Sequence, residues 1–323
     1  MNPKDIKKPV EQELKTFETF FKQSLKSRVP LLQKITQYIV KRKGKQMRPL
    51  FVLLTAKMLG EITEKSYRAA SLIELLHTAT LVHDDVVDDA YQRRGFFSIN
   101  ALWKNKIAVL VGDFLLSRTL LLSVENRELD QLEVVSNAVK EMSEGELLQI
   151  EKTRGLNFSE DIYFEIIRQK TASLIHACCK SGAISVGATK EVVNKLGEFG
   201  TAVGIAFQIK DDLFDFGSDT KIGKPTGIDI KEKKLTLPLI YALNTAEKKV
   251  RKEIVRKIKK HNTKPKKVKE VIDFVWQSGG VEYAKKRMLE FRDTALAILQ
   301  EFPQNDARNS LEELVNYSIS REK

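Results

Sequence analysis

The chain reads as all-α. Apolar residues recur at helical spacing along most of its 323 residues. Gly and Pro stand at the seams between those runs, and no alternating apolar–polar run lies between hairpin-type turns. A strand places apolar side chains at every second position and a helix at every third and fourth, and the second pattern prevails. The expectation is one domain, residues 1–323, built as a bundle of about ten or more helices around a central cavity.

The elements follow in order. Helices are expected at 10–27 and 31–41, up to Gly44. Gly44-Lys45-Gln46-Met47-Arg48-Pro49 then sets two cations three apart where the helix 47–59 begins. Backbone donors and the dipole there favour an anion, although a Lys–Arg pair alone is commonly just surface charge. After Gly60 comes 64–89, whose apolar run Leu72–Val82 leads into Asp84-Asp85-x-x-Asp88. At about 100° per residue Asp84 and Asp88 point the same way, with Asp85 beside them. His77 lies two turns earlier on that face. Arg93-Arg94-Gly95 follows, and arginine's planar fork suits phosphate oxygens.

Beyond Gly95, helices are expected at 97–102, 106–125 and 129–151; after Gly155, at 160–180 and 182–185. Gly187 closes that stretch, and 190–216 carries a second triplet, Asp211-Asp212-x-x-Asp215, 127 residues after the first. A glycine-containing loop with Lys224 is placed to close over a bound anion, and Lys234 lies just beyond it. Helices at 236–244, 246–260, 266–276 and 279–300 lead to Pro303, then 307–317.

Charge and composition narrow the class. Cys178 and Cys179 are adjacent, which makes them poor disulfide partners on a helix; buried thiols in a reduced, cytoplasmic compartment are expected. The N-terminal MNPKDIKKPVEQELK has no apolar core of a leader, and no run of 18 apolar residues appears, so neither secretion nor membrane spanning is expected. The net charge of +12 is concentrated in Lys248–Lys269, which holds twelve Lys or Arg against one Glu. Such a run can grip nucleic acid or an anionic membrane. With Val250, Ile254 and Ile258 at i, i+4, i+8, the preferred reading is a pair of solvated helices, and the aromatics of RNA-binding platforms are missing.

Six carboxylates at the ends of apolar helices repel one another unless a cation sits between them. Oxygen-only ligands of this kind suit Mg²⁺, which substrate phosphates complete. His83, His176 and His261 show no metal or triad spacing; His83 and His176 read as helix-packing residues. The implied chemistry is metal-dependent, on a polyphosphorylated substrate.

The strings GKQMRP, LLHTATLVHDDVVDDAYQRRG, GDFLLSR, EGELLQ, RQKTASL, FQIKDDLFDF, GKPTGIDIKEKKLTLP and YSISREK, in that order, resemble the trans-isoprenyl diphosphate synthases over nearly the whole chain. One departure is Lys233, where members often carry Gly. The resemblance implies the isoprenoid synthase fold and a head-to-tail condensation of isopentenyl diphosphate with an allylic diphosphate. It further implies three Mg²⁺ ions held by Asp84, Asp88 and Asp211, with Asp85, Asp212 and Asp215 in support. Arg93, Lys170, Lys224 and Lys234 are expected on the allylic diphosphate; Lys45, Arg48, His77 and Arg94 on isopentenyl diphosphate. Lys170, Thr171 and Gln208 are expected to face the carbocation, with released diphosphate as base. A homodimer is expected, no nucleic acid, and peripheral membrane contact for product release.

The growing tail is expected to run along the helix before Asp84. Ala79 and Thr80 are small there, so growth passes them, while Leu76 is the first constriction. The expected product has about six to nine isoprene units, about C30–C45, one helical turn after another being passed. A stop at C20–C25, or a catalytically silent subunit, is the alternative. A terpene cyclase is disfavoured because the second motif is DDxxD followed by GKPTGID.

Overall fold

The computed structural model describes residues 3–41, 44–93, 95–155, 159–217 and 227–320. The helices are α1 (Pro3–Lys7), α2 (Glu11–Ser24), α3 (Pro30–Lys41), α4 (Met47–Leu59), α5 (Glu64–Val87) and α6 (Ile99–Glu125). They continue as α7 (Leu129–Gly155), α8 (Glu160–Ile167), α9 (Ser173–Ser185), α10 (Lys190–Phe214) and α11 (Ile228–Lys231). The remainder are α12 (Leu237–Thr245), α13 (Lys248–His261), α14 (Pro265–Gln277), α15 (Gly280–Gln300) and α16 (Asp306–Ser320). The all-α class holds.

Several boundaries differ from expectation for identifiable reasons. A two-residue ladder pairs β1 (Gln92–Arg93) with β2 (Phe96–Phe97) around Gly95, which takes φ 78°; two residues are too few to show alternation. The segment 160–180 is not one α-helix, because a π-helical turn, Arg168–Ala172, joins α8 to α9. No break separates 180 from 182. The gap expected between 97–102 and 106–125 appears as a kink inside α6, where Lys104 has φ 69°.

The chain forms two compact units. One comprises Met1–Val139, Ala177–Gly197 and Pro303–Leu311. Its centre is α4, buried at every position from Pro49 to Ala56, as expected of a helix apolar all round. Gly182 of α9 lets that helix cross α4 closely: a Cβ there would lie 2.5 Å from the Val52 carbonyl oxygen. Ser66 and Ser185 hydroxyls meet at 2.8 Å, and Arg68 donates through Nε and Nη2 to Glu128, at 2.8 and 2.7 Å. Cys178 and Cys179 are free and buried, and burial pushes the Cys179 thiol up to about 12. Among the described residues α6 alone is long and apolar enough to cross a membrane, but one of its faces is packed on α5 as in a core helix.

The other unit comprises Lys140–His176, Glu198–Phe302 and Glu312–Lys323. Here α12 and α15 pack closely, because Gly280 carries no Cβ to strike the Pro238 carbonyl oxygen. Trp276 donates its indole N–H to the Phe216 carbonyl at 2.9 Å, and Tyr241 stacks on Tyr283 with centroids 4.2 Å apart.

Candidate active site

In the first unit the chemistry gathers at the C-terminal end of α5. This helix opens on a capping box between Thr63 and Ser66 and ends at Val87, with Asp88 as C-cap donating its N–H to the Asp84 carbonyl at 2.8 Å. The first triplet therefore sits at the negative end of the helix dipole, where carboxylates are disfavoured and a cation is welcome. Asp84 and Asp88 are exposed, and Asp85 is buried at 4% exposure. Asn100 Nδ2 donates to the Asp85 carbonyl at 3.0 Å, fixing the start of α6 against this end. Gly112 of α6 lies where a Cβ would come within 2.1 Å of His83 Nε2, so glycine alone accommodates the imidazole, which also contacts the Val109 carbonyl.

Farther up α5, His77 is buried, and Ala79 and Leu76 expose no surface. Thr80 is half-buried one turn before Asp84, and its hydroxyl donates to the His77 carbonyl at 2.9 Å. Arg48 is half-buried in the first turn of α4 and Lys45 is exposed just before it, with Gln46 between them at φ 54°. Arg93 falls in β1; Arg94 and Lys224 lie outside the described residues.

In the second unit the site is built on the π-helical turn. An inserted residue widens the turn and re-aims the side chains on it. Glycines on two other helices make room: a Cβ on Gly145 of α7 would lie 2.8 Å from Lys170 N, and one on Gly204 of α10 would lie 2.5 Å from Ala172 Cα. Lys170 forms an ion pair with Glu146 and donates to Gln149 Oε1 at 3.4 Å. The EGELLQ string thus has a physical reading: its glycine admits the turn, and its Glu and Gln hold the turn's lysine.

A hydrogen-bond chain runs from the same turn. Thr171 donates to Gln208 Oε1 at 2.8 Å, Gln208 Nε2 donates to Asp212 Oδ1 at 2.9 Å, and the Tyr163 hydroxyl donates to Asp212 Oδ2 at 2.8 Å. Both Asp212 oxygens therefore have partners. Asp215 is engaged too, accepting from the Ile228 and Asp229 backbone N–H groups at 2.7 and 3.2 Å, so that it caps the start of α11. Asp211 is half-buried. Lys234 lies 3.8 Å from Asp229 and 2.5 Å from Glu232. Its neighbour Lys233 has φ 59°, the left-handed conformation that explains why glycine is favoured there.

Among the described residues no three Asp, Glu, His or Cys side chains converge as a finished metal site. The donor chemistry nonetheless fits Mg²⁺. Burial, and then the Asp229 charge, lift the Asp212 carboxyl to about 7; burial, and then Asp215, lift Asp229 to about 6. Crowded carboxylates at the carbonyl end of a helix form an oxygen-only set that a hard cation relieves.

A sequence model of the Polyprenyl synthetase family matches residues 29–275. The chain belongs to the polyprenyl synthetase family. It is 38% identical to the all-trans-nonaprenyl-diphosphate synthase (geranyl-diphosphate specific) of Rhodobacter capsulatus, covering 98% of this chain and 97% of that one. The crystal structure of a decaprenyl diphosphate synthase from the same organism superposes with a TM-score of 0.94, at 34% identity over 100% of both chains. A polyprenyl synthase from Caulobacter crescentus CB15, complexed with calcium and isoprenyl diphosphate, gives 0.90 at 32% identity over 100% of this chain and 98% of the other. The polyprenyl synthetase described here is accordingly a prenyltransferase.

In the second unit of this polyprenyl synthetase, hydrogen bonds join Thr171, Gln208 and Asp212, three of the residues singled out in the sequence. His83 and His176 are packing residues, the latter bonded to Thr201 Oγ1 at 3.0 Å. Tyr163, Glu146, Gln149 and Asp229 were missed as site residues. Glu146, Gln149 and Asp229 stand in the family strings; Tyr163, an aromatic in an apolar run, carried no signal.

Proposed function

We propose that the enzyme condenses isopentenyl diphosphate head-to-tail with an allylic diphosphate, in the presence of Mg²⁺, and releases a long all-trans polyprenyl diphosphate. The hydrogen-bond chain Thr171–Gln208–Asp212–Tyr163 carries this reading. With its hydroxyl proton committed to Gln208, Thr171 keeps its oxygen lone pairs for an electron-poor allylic centre. Gln208 cannot rotate away without losing its bond to a buried carboxylate, so the dipole is preorganised.

Magnesium, when bound, offsets negative charge growing on the departing diphosphate. Asp84, Asp88 and Asp211 are the proposed ligands; Asp85, Asp212 and Asp215 support them from buried or backbone-bonded positions. Lys170, held by Glu146 and Gln149, and Lys234, held beside Asp229, are assigned with Arg93 and Lys224 to the allylic diphosphate. Lys45, Arg48, His77 and Arg94 are assigned to isopentenyl diphosphate. Fixing both substrates supplies the proximity advantage, and the released diphosphate accepts the proton.

The nonaprenyl and decaprenyl products named for the two Rhodobacter proteins favour the long-chain reading. A homodimer is the proposed assembly. Val109, Leu110, Leu120, Leu121 and Val124 are exposed and share one face of α6 with Asp113 and Ser117, a largely apolar face of the kind a second copy covers.

The decisive experiment incubates purified protein with Mg²⁺, labelled isopentenyl diphosphate and farnesyl diphosphate, then resolves the products by chromatography. A ladder ending in one long linear diphosphate supports the proposal. A cyclised hydrocarbon, or no extension at all, would overturn it.

A further inference from the structure

The cationic face of α13 belongs to neither the diphosphate site nor the core. Ile254 and Ile258 are buried on one side of this helix. At about 100° per residue, Lys248, Lys249, Lys252, Arg256, Lys259 and Lys260 fall within about 120° on the opposite side. All six are exposed. The one acid in the helix, Glu253, is taken up by Lys257 at 2.7 Å, and Lys257 also meets Glu270 at 2.9 Å. Among the described residues, none of the six facing cations has a carboxylate partner.

Helix stability does not account for this face. Lys248, Lys252, Arg256 and Lys260 stand at successive i, i+4 spacings, where like charges repel. Lys248 and Lys249 also open the helix, at the positive end of its dipole. Elsewhere the chain sets opposite charges at that spacing, as in Lys15–Glu11, Lys140–Glu144 and Lys286–Glu290. The α13 pattern works against the helix at its first turn and along its i, i+4 row, so helix formation is not what places the cations there.

We propose that α13 docks the enzyme on an anionic lipid surface. The face is straight, about 18 Å long from Lys248 to Lys260, and uniformly positive, which complements a flat layer of lipid headgroup phosphates. It carries no apolar wedge, so adsorption is electrostatic and does not require insertion. No aromatic residue occurs between Tyr241 and Phe274, so the stacking platform of a single-strand nucleic-acid binder is missing. Resting on the long-chain product proposed above, the inference also places the enzyme beside the bilayer into which so apolar a tail partitions.

The test sediments the full-length protein, without substrates, with phosphatidylcholine vesicles that contain or lack phosphatidylglycerol, at low and high salt. Wild type should bind the anionic vesicles at low salt only. Each cation near such a surface strengthens adsorption about five-fold, so K248Q/K252Q/R256Q/K259Q should weaken it at least about fifty-fold. Replacing the three lysines by Arg should preserve it, which separates charge from folding. Condensation with soluble substrates in vesicle-free buffer should be unchanged in both variants. Equal adsorption to neutral vesicles, or full binding by the Gln variant, overturns the proposal. So does tight binding to duplex nucleic acid at a salt concentration that strips the protein from vesicles. Loss of condensation in wild type would instead sink the enzymatic reading and leave the adsorption result standing.

Discussion

Tyr163→Phe probes the hydrogen-bond chain at its least accessible member. The substitution removes one oxygen and keeps the ring, including its edge contact with Phe164 at 5.4 Å and 70°. What is lost is the 2.8 Å bond to Asp212 Oδ2, in a place where Asp212 is 7% exposed and water cannot substitute. A hydrogen bond to a charged group contributes about 1.5–3 kcal/mol, so the metal-free protein should lose about 2 kcal/mol in urea denaturation. The bond also lowers the Asp212 carboxyl, which burial has already lifted; without it that carboxyl moves further up. Gln208 then bonds a partner less often charged, and Thr171 loses its fixed acceptor. Turnover should fall by up to about thirty-fold, the kinetic equivalent of 2 kcal/mol, while KM for isopentenyl diphosphate changes little. A cycle with Gln208→Leu should be non-additive, since both residues bond the same carboxylate. Stability and turnover both within error of wild type would refute the reasoning, because the chain could not then be what holds Gln208.

Gly145→Ala drives a methyl against the backbone of the π-helical turn and should cost about 1–3 kcal/mol, with weakened allylic substrate binding; unchanged denaturation midpoints would mean the turn yields freely. Lys233→Gly relieves a left-handed lysine and should stabilise by up to about 1 kcal/mol in thermal melting, so a lower melting temperature would count against it. Arg68→Ala leaves Glu128 charged at 5% exposure and should cost about 3 kcal/mol, with turnover per folded molecule preserved; a loss below about 1 kcal/mol would show that the pair is well hydrated. Thr80→Phe should shorten the product, since Thr80 is the accessible small residue one turn before Asp84; an unchanged chromatographic profile would move the tail to another wall.

Helix positions were legible because a 3.6-residue period needs only local sequence. Even the kink at Lys104 appeared as a gap in the pattern. The π-helical turn was not legible, for a physical reason. The room it needs is supplied not by Arg168–Ala172 but by Gly145 and Gly204, whose missing Cβ atoms let two other helices close on it. Apolar spacing runs through 160–180 without a visible fault. Tyr163 was unreadable in the same way: whether a tyrosine in an apolar run fills space or anchors a carboxylate depends on a partner 49 positions away.

The two acidic triplets also show why residue type and spacing carry only part of a site. At the first position Asp84 is exposed and Asp211 half-buried; at the second, Asp85 and Asp212 are both buried. At the second position the motif repeats in structure as well as in letters. At the third position it does not. Asp88 is an exposed C-cap, whereas Asp215 spends both oxygens on the backbone of α11. A helix cap with water around it can turn a carboxylate toward a metal ion. A carboxylate fastened to the first residues of a following helix instead fixes where the chain goes after its loop. Asp215 is therefore the member of the second triplet that ties Asp229, and through it Lys234, to the end of α10.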